Sequence, residues 1–452
     1  METIKNIARR ALLIWATGLF LVNLAQAGIA VQHWTQASGV QVFLLPSPAI
    51  AMLDVQIDLD AGSRRDPPQQ AGLASVTARM LSKGVRAGSL PTEPALDENA
   101  LGEAWADLGA DFAASAGPDR LSFSLRSLTY PDLLGQAVQL AARQLAEPAF
   151  AATIWQRERD SLKAALKEAS TRPATLAGRA FAKAVYGEHP YGFEMTEATL
   201  DRIEVADMAA LHQLIQPCRA KVTLVGAVNR AQADALVQQL FARFDQTGSG
   251  AACAPLPAVP EVQPLTQAVE QRIAFDAAQA QVLIGQPGFR RDDPDFFALT
   301  VGNYILGGGG FVSRLTEEVR QQRGLSYSVY SYFAPGLHAG AFTIGLQTRP
   351  DQADQAVQVA RQVLARFVAD GPTEQELKAA KDHLVGGFAL RLDSNRKLLD
   401  NLAHIAWNKL PLDYLDTWTQ QVDLVTVAGI KAAFARKLQP QRMVTVVLGA
   451  PG

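Results

Sequence analysis

Two cysteines in 452 residues leave room for at most one disulfide, so no cystine framework holds this chain together. An excess of one charge is also missing. Forty-two Lys and Arg against 44 Asp and Glu leave a net charge of −2, which excludes the basic footprint of a nucleic-acid binder or of a protein held to an anionic bilayer. After Leu24 no apolar run is long enough to span a membrane. The six histidines (His33, His189, His212, His338, His383 and His404) include no i, i+4 pair, so no helix offers two imidazoles on one face. What remains is a chain that is 48% hydrophobic and 19% charged, the balance of a folded protein, and too long for one ordinary core. Two domains are the expectation.

The N-terminus stands apart. Lys5, Arg9 and Arg10 precede an apolar run from Ala11 to Leu24, and Ala25-Gln26-Ala27 reads as a small-residue cleavage signal. The run is shorter than the roughly 20 residues a membrane anchor needs. Residues 1–27 are therefore expected to be a cleaved signal peptide, with the mature chain starting near Gly28 in a Gram-negative periplasm and no membrane attachment afterwards. That compartment permits a disulfide, but sequence does not show that Cys218 and Cys253 meet, and two free thiols are the expectation.

Internal repetition organises the rest. Asp54 to Gly72 holds an alternating strand, Val55, Ile57, Leu59, followed by a Gly-x-Arg-Arg-Asp turn at Gly62, and Gln281 to Asp295 holds the same strand and turn at Gly288. KVTLVGAV from Lys221 is matched by MVTVVLGAP from Met443. Both matches place the second copy a little over 200 residues after the first. Between the copies, Thr247 to Gln267 is rich in Gly, Ala and Pro and has no sustained period, as a linker would. The expected domains are 28–246 and 268–452, joined by 247–267. Within each copy, hairpin-like stretches (Asp111 to Thr129, Leu325 to Thr348) alternate with helical patterns, one of them opened by a Thr373-x-x-Glu376 capping box. The fold class is α+β: two related domains, each a mostly antiparallel sheet covered by helices.

The stretch ILGGGGFVSRLTEEVRQQRGLSYSVYSYF, residues 305–333, carries the chemistry. Gly307, Gly308, Gly309 and Gly310 are not a phosphate loop, because Phe311-Val312-Ser313 follows where a Walker lysine would stand, and the segment before them reads as helix rather than buried strand. They read as a hinge between two helical segments. Beyond them Arg320 falls near the end of a helix beginning around Val312, Gly324 stops it, and Tyr327 opens the next strand, so that both side chains can enter one space.

With Arg320 and Tyr327 in R-x-x-x-G-L-x-Y, the glycine run before them and VYGEHPYGFEMTEATLDRI at 185–203, the chain resembles the M16 metallopeptidase family, the pitrilysin and mitochondrial-processing-peptidase group. The resemblance covers nearly all of the mature chain. It implies a half-clamshell of two repeated units of the LuxS-like metallohydrolase type, with Gly307–Gly310 as hinge or substrate loop. It also implies that Arg320 and Tyr327 hold the substrate backbone and stabilise a developing oxyanion, for which a guanidinium and a phenol are suitable donors.

The departure lies in the first domain. Members with catalytic power carry H-x-x-E-H on a helix, two zinc ligands and a base. Here the matching helix is Ala71 to Gly84, which puts Ser75 and Arg79 at the ligand positions and Ala78 at the base position. The later helix keeps Glu158 and Glu168, expected to be solvated or ion-paired. No metal and no cofactor is expected in this chain, and no peptide hydrolysis by it alone. Two-subunit members of this size pair a zinc-bearing chain with one that completes the site. The resemblance implies that this chain is the second kind, an inactive subunit serving a homologous partner with an intact H-x-x-E-H, zinc in that partner, and extended peptides as substrate. The alternative is a non-catalytic scaffold or peptide-binding pseudopeptidase.

Overall fold

The computed structural model describes residues 29–88, 93–244 and 253–449, so the expected signal peptide lies outside the described residues. Strands β1 (Gln32–Thr35), β2 (Gln41–Pro46), β3 (Met52–Leu59), β4 (Asp111–Ala116), β5 (Leu121–Leu128) and β6 (Lys221–Gly226) form a first sheet in the order β1-β2-β6-β3-β5-β4. Strands β7 (Val269–Ile273), β8 (Ala280–Pro287), β9 (Ser328–Phe333), β10 (Ala341–Thr348) and β11 (Val444–Leu448) form a second, β7-β11-β8-β10-β9. Neighbours are antiparallel except β2 with β6 and β7 with β11. Each strand of the second sheet has its counterpart in the first, with β1 as the extra member.

Helices α1 (Leu73–Met80), α2 (Pro131–Ala146), α3 (Ala152–Ala169), α4 (Pro173–Tyr186) and α5 (Arg230–Leu240) belong to the first half. Helices α6 (Phe296–Asn303), α7 (Ala353–Asp370), α8 (Glu374–Gly386), α9 (Asn395–Trp407) and α10 (Val427–Lys437) belong to the second. The starts of α2 and α7 at 131 and 353, of α3 and α8 at 152 and 374, and of α4 and α9 at 173 and 395 are each 222 positions apart. The duplication read from strands and turns therefore extends through the helices.

One face of each sheet is closed by its own half. Leu73, Val76 and Met80 of α1, Val138 and Leu145 of α2 and Val237 of α5 pack with Val55, Ile57 and Leu224 in one core. Leu299, Leu364, Leu384 and Phe434 pack with Val282, Ile284 and Phe342 in the other. Strands covered on both faces must bury residues of both parities, which is why β6 and β11 read as nearly continuous apolar runs. The second face is closed by exchange. Helix α4 of the first half lies on β8 and β11, where Ala177, Phe181 and Val185 meet Val444, Val446 and Leu448. Helix α9 of the second half lies on β6 and β3. Neither sheet is fully buried without the other half.

The stretch between the halves is fastened where it is described. Cys218 and Cys253 form a disulfide with Cα atoms 5.6 Å apart, which corrects the expectation of two free thiols. The turn before β6 brings Cys218 within reach of a residue 35 positions later, a proximity no local pattern encodes. Arg219 and Arg65 then hold the carbonyls of Ala254 and Pro257, each at 2.9 Å. Glu261 accepts from the backbone N–H of Ala339 at 2.8 Å and stands 3.3 Å from the His338 ring.

Candidate functional site

The Arg320 region departs in detail from its sequence reading. Helix α6 runs on into a wide turn, Tyr304–Gly308, and after a single tight turn at Gly310–Val312 the chain resumes helically at 314 and finishes in a second wide turn, Thr316–Gln321. Gly307, Gly308 and Gly309 are packed against their neighbours, whereas Gly310, at φ 60°, has open space beside it. A Cβ at Gly307 would stand 2.4 Å from the Ser331 hydroxyl, so only glycine lets this turn lie against β9. Asn303 reinforces the contact, its amide oxygen accepting from Ser331 Oγ at 2.8 Å and its nitrogen donating to Ser331 O at 3.1 Å. Gly324, at φ 61°, ends the second turn, and Tyr327 stands one residue before β9.

This geometry brings Arg320 and Tyr327 together and adds a residue the sequence reading missed. The Arg320 guanidinium lies 4.7 Å from the ring centre of Tyr327 and 4.7 Å from that of Phe311. Both rings are largely exposed, Phe311 at 68% and Tyr327 at 80%. Neither Arg320 nor Tyr327 makes a side-chain hydrogen bond to another described residue, so the donors face solvent while the rings restrict the guanidinium. The approach of aromatic faces leaves the guanidinium edge, where its N–H groups lie, available to an acceptor. Tyr330 and Tyr332 stack on one another along the exposed face of β9, an edge strand, at 6.0 Å. The signal that could have found Phe311 was its place just after the glycines, as an aromatic with no partner in its own segment.

On the other side of Phe311, Arg314 and Glu376 form a two-pronged ion pair at 2.6 and 2.7 Å. Burial raises the Glu376 carboxyl, but Arg314 and the Thr373 backbone and hydroxyl outweigh it and hold the pKa at about 2. Arg314 also donates to Gly371 O at 3.1 Å. The expected capping box of α8 is present, Thr373 accepting from Glu376 N, so one carboxylate both caps α8 and anchors the segment carrying Arg320.

The degenerate metal positions lie together on α1. Ser75, Ala78 and Arg79 line a cleft of about 470 Å³ whose other walls are Phe112 to Ala116 of β4, Leu162 and Met195. This donor set does not fit zinc: a hydroxyl, a methyl and a permanently charged guanidinium supply no imidazole or carboxylate. Glu158, which could have served a metal, is committed to cations. It is buried, and Arg79 Nε, Lys83 Nζ at 3.2 Å and Arg157 Nη2 at 3.0 Å converge on it. Burial pushes its carboxyl up, but those three partners reverse the effect and hold it at about 2. Of the alternatives expected for Glu158, ion-paired holds and solvated does not, whereas Glu168 sits exposed beside Arg172. Among the described residues no group of three or more His, Cys, Asp or Glu could hold a metal. Neither Arg320 nor Tyr327 lines the α1 cleft.

Sequence and structure comparisons agree on kinship. Residues 42–199 match the model of the insulinase family, peptidase family M16, and residues 203–384 match that of the peptidase M16 inactive domain. An uncharacterized zinc protease of Mycobacterium leprae is 28% identical over 434 residues, covering 94% of this chain and 93% of that protein. A protein of Helicobacter pylori described as a non-peptidase homolog, YmxG, is 24% identical over 430 residues, with 93% and 94% covered. Among solved structures, a peptidase M16 inactive domain from Pseudomonas fluorescens superposes with a TM-score of 0.86 at 32% identity, covering 94% of this chain and 98% of that one. The periplasmic protease PqqL of Escherichia coli superposes at 0.77 and 20% identity, covering 93% of this chain but 45% of PqqL.

Proposed function

Because the chain belongs to the M16 peptidase family, we propose that it is the subunit without zinc of a two-chain M16 peptidase, lending Arg320 and Tyr327 to the metal site of a homologous partner. The carrying observation is the contrast between the two halves. The α1 cleft is lined by no His, Cys, Asp or Glu, and the buried Glu158 beside Arg79 is tied to three cations. Tyr327 is exposed and Arg320 half-buried, the two are held against one another, and neither side chain hydrogen-bonds to another described residue. Donors held this way and left free suit a peptide carbonyl that gains charge as it is attacked. Zinc, held by the partner's H-x-x-E-H, would activate the attacking water. Arg320 would hold the substrate backbone by charge-assisted hydrogen bonds, and the Tyr327 hydroxyl would donate to the oxyanion. Substrates would be extended peptides or unfolded segments, in a periplasm reached through the cleaved 1–27 segment.

The test is reconstitution with the zinc-bearing subunit. Tyr327→Phe keeps the ring stacked on Arg320 and removes only the hydroxyl, so turnover of an intact complex should fall by on the order of 10² to 10³. Arg320→Ala should raise KM as well as lower turnover. Near-parental turnover by an assembled Tyr327→Phe complex would sink the assignment and favour the pseudopeptidase reading, which the H. pylori non-peptidase homolog keeps open. Elemental analysis of the chain purified alone should find well under one zinc per molecule. Stoichiometric zinc lost on substituting Ser75 or Arg79 would overturn the assignment of the degenerate positions.

A further inference from the structure

The α1 cleft has lost the means to hold a metal but has acquired a charge of its own. Arg79, Lys83 and Arg157 meet Glu158 and Glu98, three cations around two carboxylates, and of these five only Arg79 lines the cleft. Its Nε is spent on Glu158, while its two terminal nitrogens hydrogen-bond to no described residue and its side chain is 44% exposed. A buried carboxylate behind a guanidinium fixes its direction, and the uncompensated positive charge points forward into the cleft.

The floor of the cleft is the outer edge of β4, the last strand of its sheet. Edges left open in folded proteins are usually protected by charge or proline. Asp111–Ala116, DFAASA, has neither after its first residue, and its small side chains leave the backbone accessible. Phe112, Leu162 and Met195 supply an apolar wall. Since α1 packs against β4, a strand added at this edge lies in the cleft that Arg79 lines, where a terminal carboxylate would match its charge.

We propose that this cleft binds the C-terminal end of an extended peptide, paired with the edge of β4 and with its α-carboxylate on the free nitrogens of Arg79. The position that carries a metal ligand in catalytic relatives is here an anchor for an anion. The site is independent of Arg320, Tyr327 and any partner subunit, so it can fail or hold whatever becomes of the catalytic reading.

Fluorescence polarisation on the full chain alone tests it. Three labelled hexapeptides of one alternating apolar and small-polar sequence serve as probes: the free acid, the C-terminal amide, and an amide with glutamate next to last. The free acid should bind on the order of ten- to a hundred-fold more tightly than either amide, the range of a charge-assisted hydrogen-bond pair. Arg79→Gln should bring the acid down to the level of the amide. Ser75→Phe, which fills the cleft and leaves the Arg79–Glu158 pair in place, should abolish acid binding and guards against misfolding of the Arg79 variant. No binding of the acid at millimolar protein, equal affinity for acid and amide, or a preference for the acid that survives both substitutions would overturn the proposal. The glutamate amide matching the acid would overturn the assignment to a chain terminus.

Discussion

The two seams where a helix of one half covers the sheet of the other are built from equivalent positions and opposite chemistry. On the second sheet, α4 lays Phe181 and Val185 on Val444, Val446 and Leu448. On the first, the matching faces are polar. Lys221 takes the place of Val444, Thr223 that of Val446, and Asp58, opposite Lys221 in register, that of Gly285, opposite Val444. Lys221 Nζ donates to the carbonyls of Ala406 and Trp407 at 2.6 and 3.2 Å, a cation at the C-terminus of α9. Arg120 reaches Asp58 at 3.0 Å, and Ser122 and Gln56 donate to the same carboxylate. Arg291 Nε contacts His404 Nε2 at 2.7 Å. One backbone plan is thus held by area on one side and by directed bonds on the other. Apolar burial gains stability with little dependence on pH, whereas a polar seam fixes the position of the helix and makes it respond to protons.

Truncating the apolar seam should have the larger effect. Phe181 is buried, and a Cβ at Gly285 would stand 2.8 Å from its ring, so strand and ring are in close contact. Phe181→Ala should cost about 3–5 kcal/mol, read as a lower denaturant midpoint with an unchanged slope. At the matching place in α9, 222 positions on, stands Ala403, so the polar seam has no comparable ring to lose. A loss below about 1 kcal/mol would show that α4 is not a structural element of the second sheet.

The polar seam should instead fail with acid. Burial, then the charges of Arg291 and Arg120, lower the His404 pKa to about 4 from an unperturbed 6.5. The unfolded chain therefore takes up this proton first. The contribution of His404 is whole above pH 6.5 and is lost as pH falls towards 4, on the order of 3 kcal/mol in all. His404→Gln keeps an acceptor for Arg291 and does not titrate. The difference in unfolding free energy between parent and variant should shrink or invert from pH 7 to pH 4.5, and a constant difference would remove His404 from the account. Subtracting the variant also removes the opposite drift of Asp66, raised to about 6 mainly by burial, whose contribution is present below 3.8 and fades as pH rises through 6.

Strand pairs, turns and the repeat were legible in the sequence because each is written in neighbouring residues: the alternation in β3, the turns at Gly62 and Gly288, the capping box of Thr373 and Glu376. The exchange of α4 and α9 was not, since an amphipathic helix declares that it has a sheet to cover without saying which. Arg320 and Tyr327 were legible through the spacing of a short motif, but Phe311 reaches Arg320 only through the wide turns that glycine packing permits. Glu158 was misread in part because its own helix is charged throughout, and what buries it comes from α1, 79 positions earlier. The disulfide escaped for the same reason of distance.

The finest test of the comparison exchanges one residue between the seams. Thr223 and Val446 stand three positions before Gly226 and Gly449, and both are fully buried. The Thr223 hydroxyl has no hydrogen-bond partner among the described residues, so the polar seam carries at this point a group that lost its water and gained nothing. Thr223→Val keeps the branched shape and removes that group, and should stabilise the protein by about 1 kcal/mol. Val446→Thr should do the reverse, since the new hydroxyl would face Phe181 and its apolar neighbours, and should cost about 1–2 kcal/mol. If both substitutions destabilise, Thr223 has a partner in solution, such as a buried water, and the first seam is polar by construction at every position. If Thr223→Val stabilises while leaving the His404 pH dependence intact, directed bonding on that seam resides in the contacts of Asp58, Lys221 and Arg291 and not in the Thr223 hydroxyl.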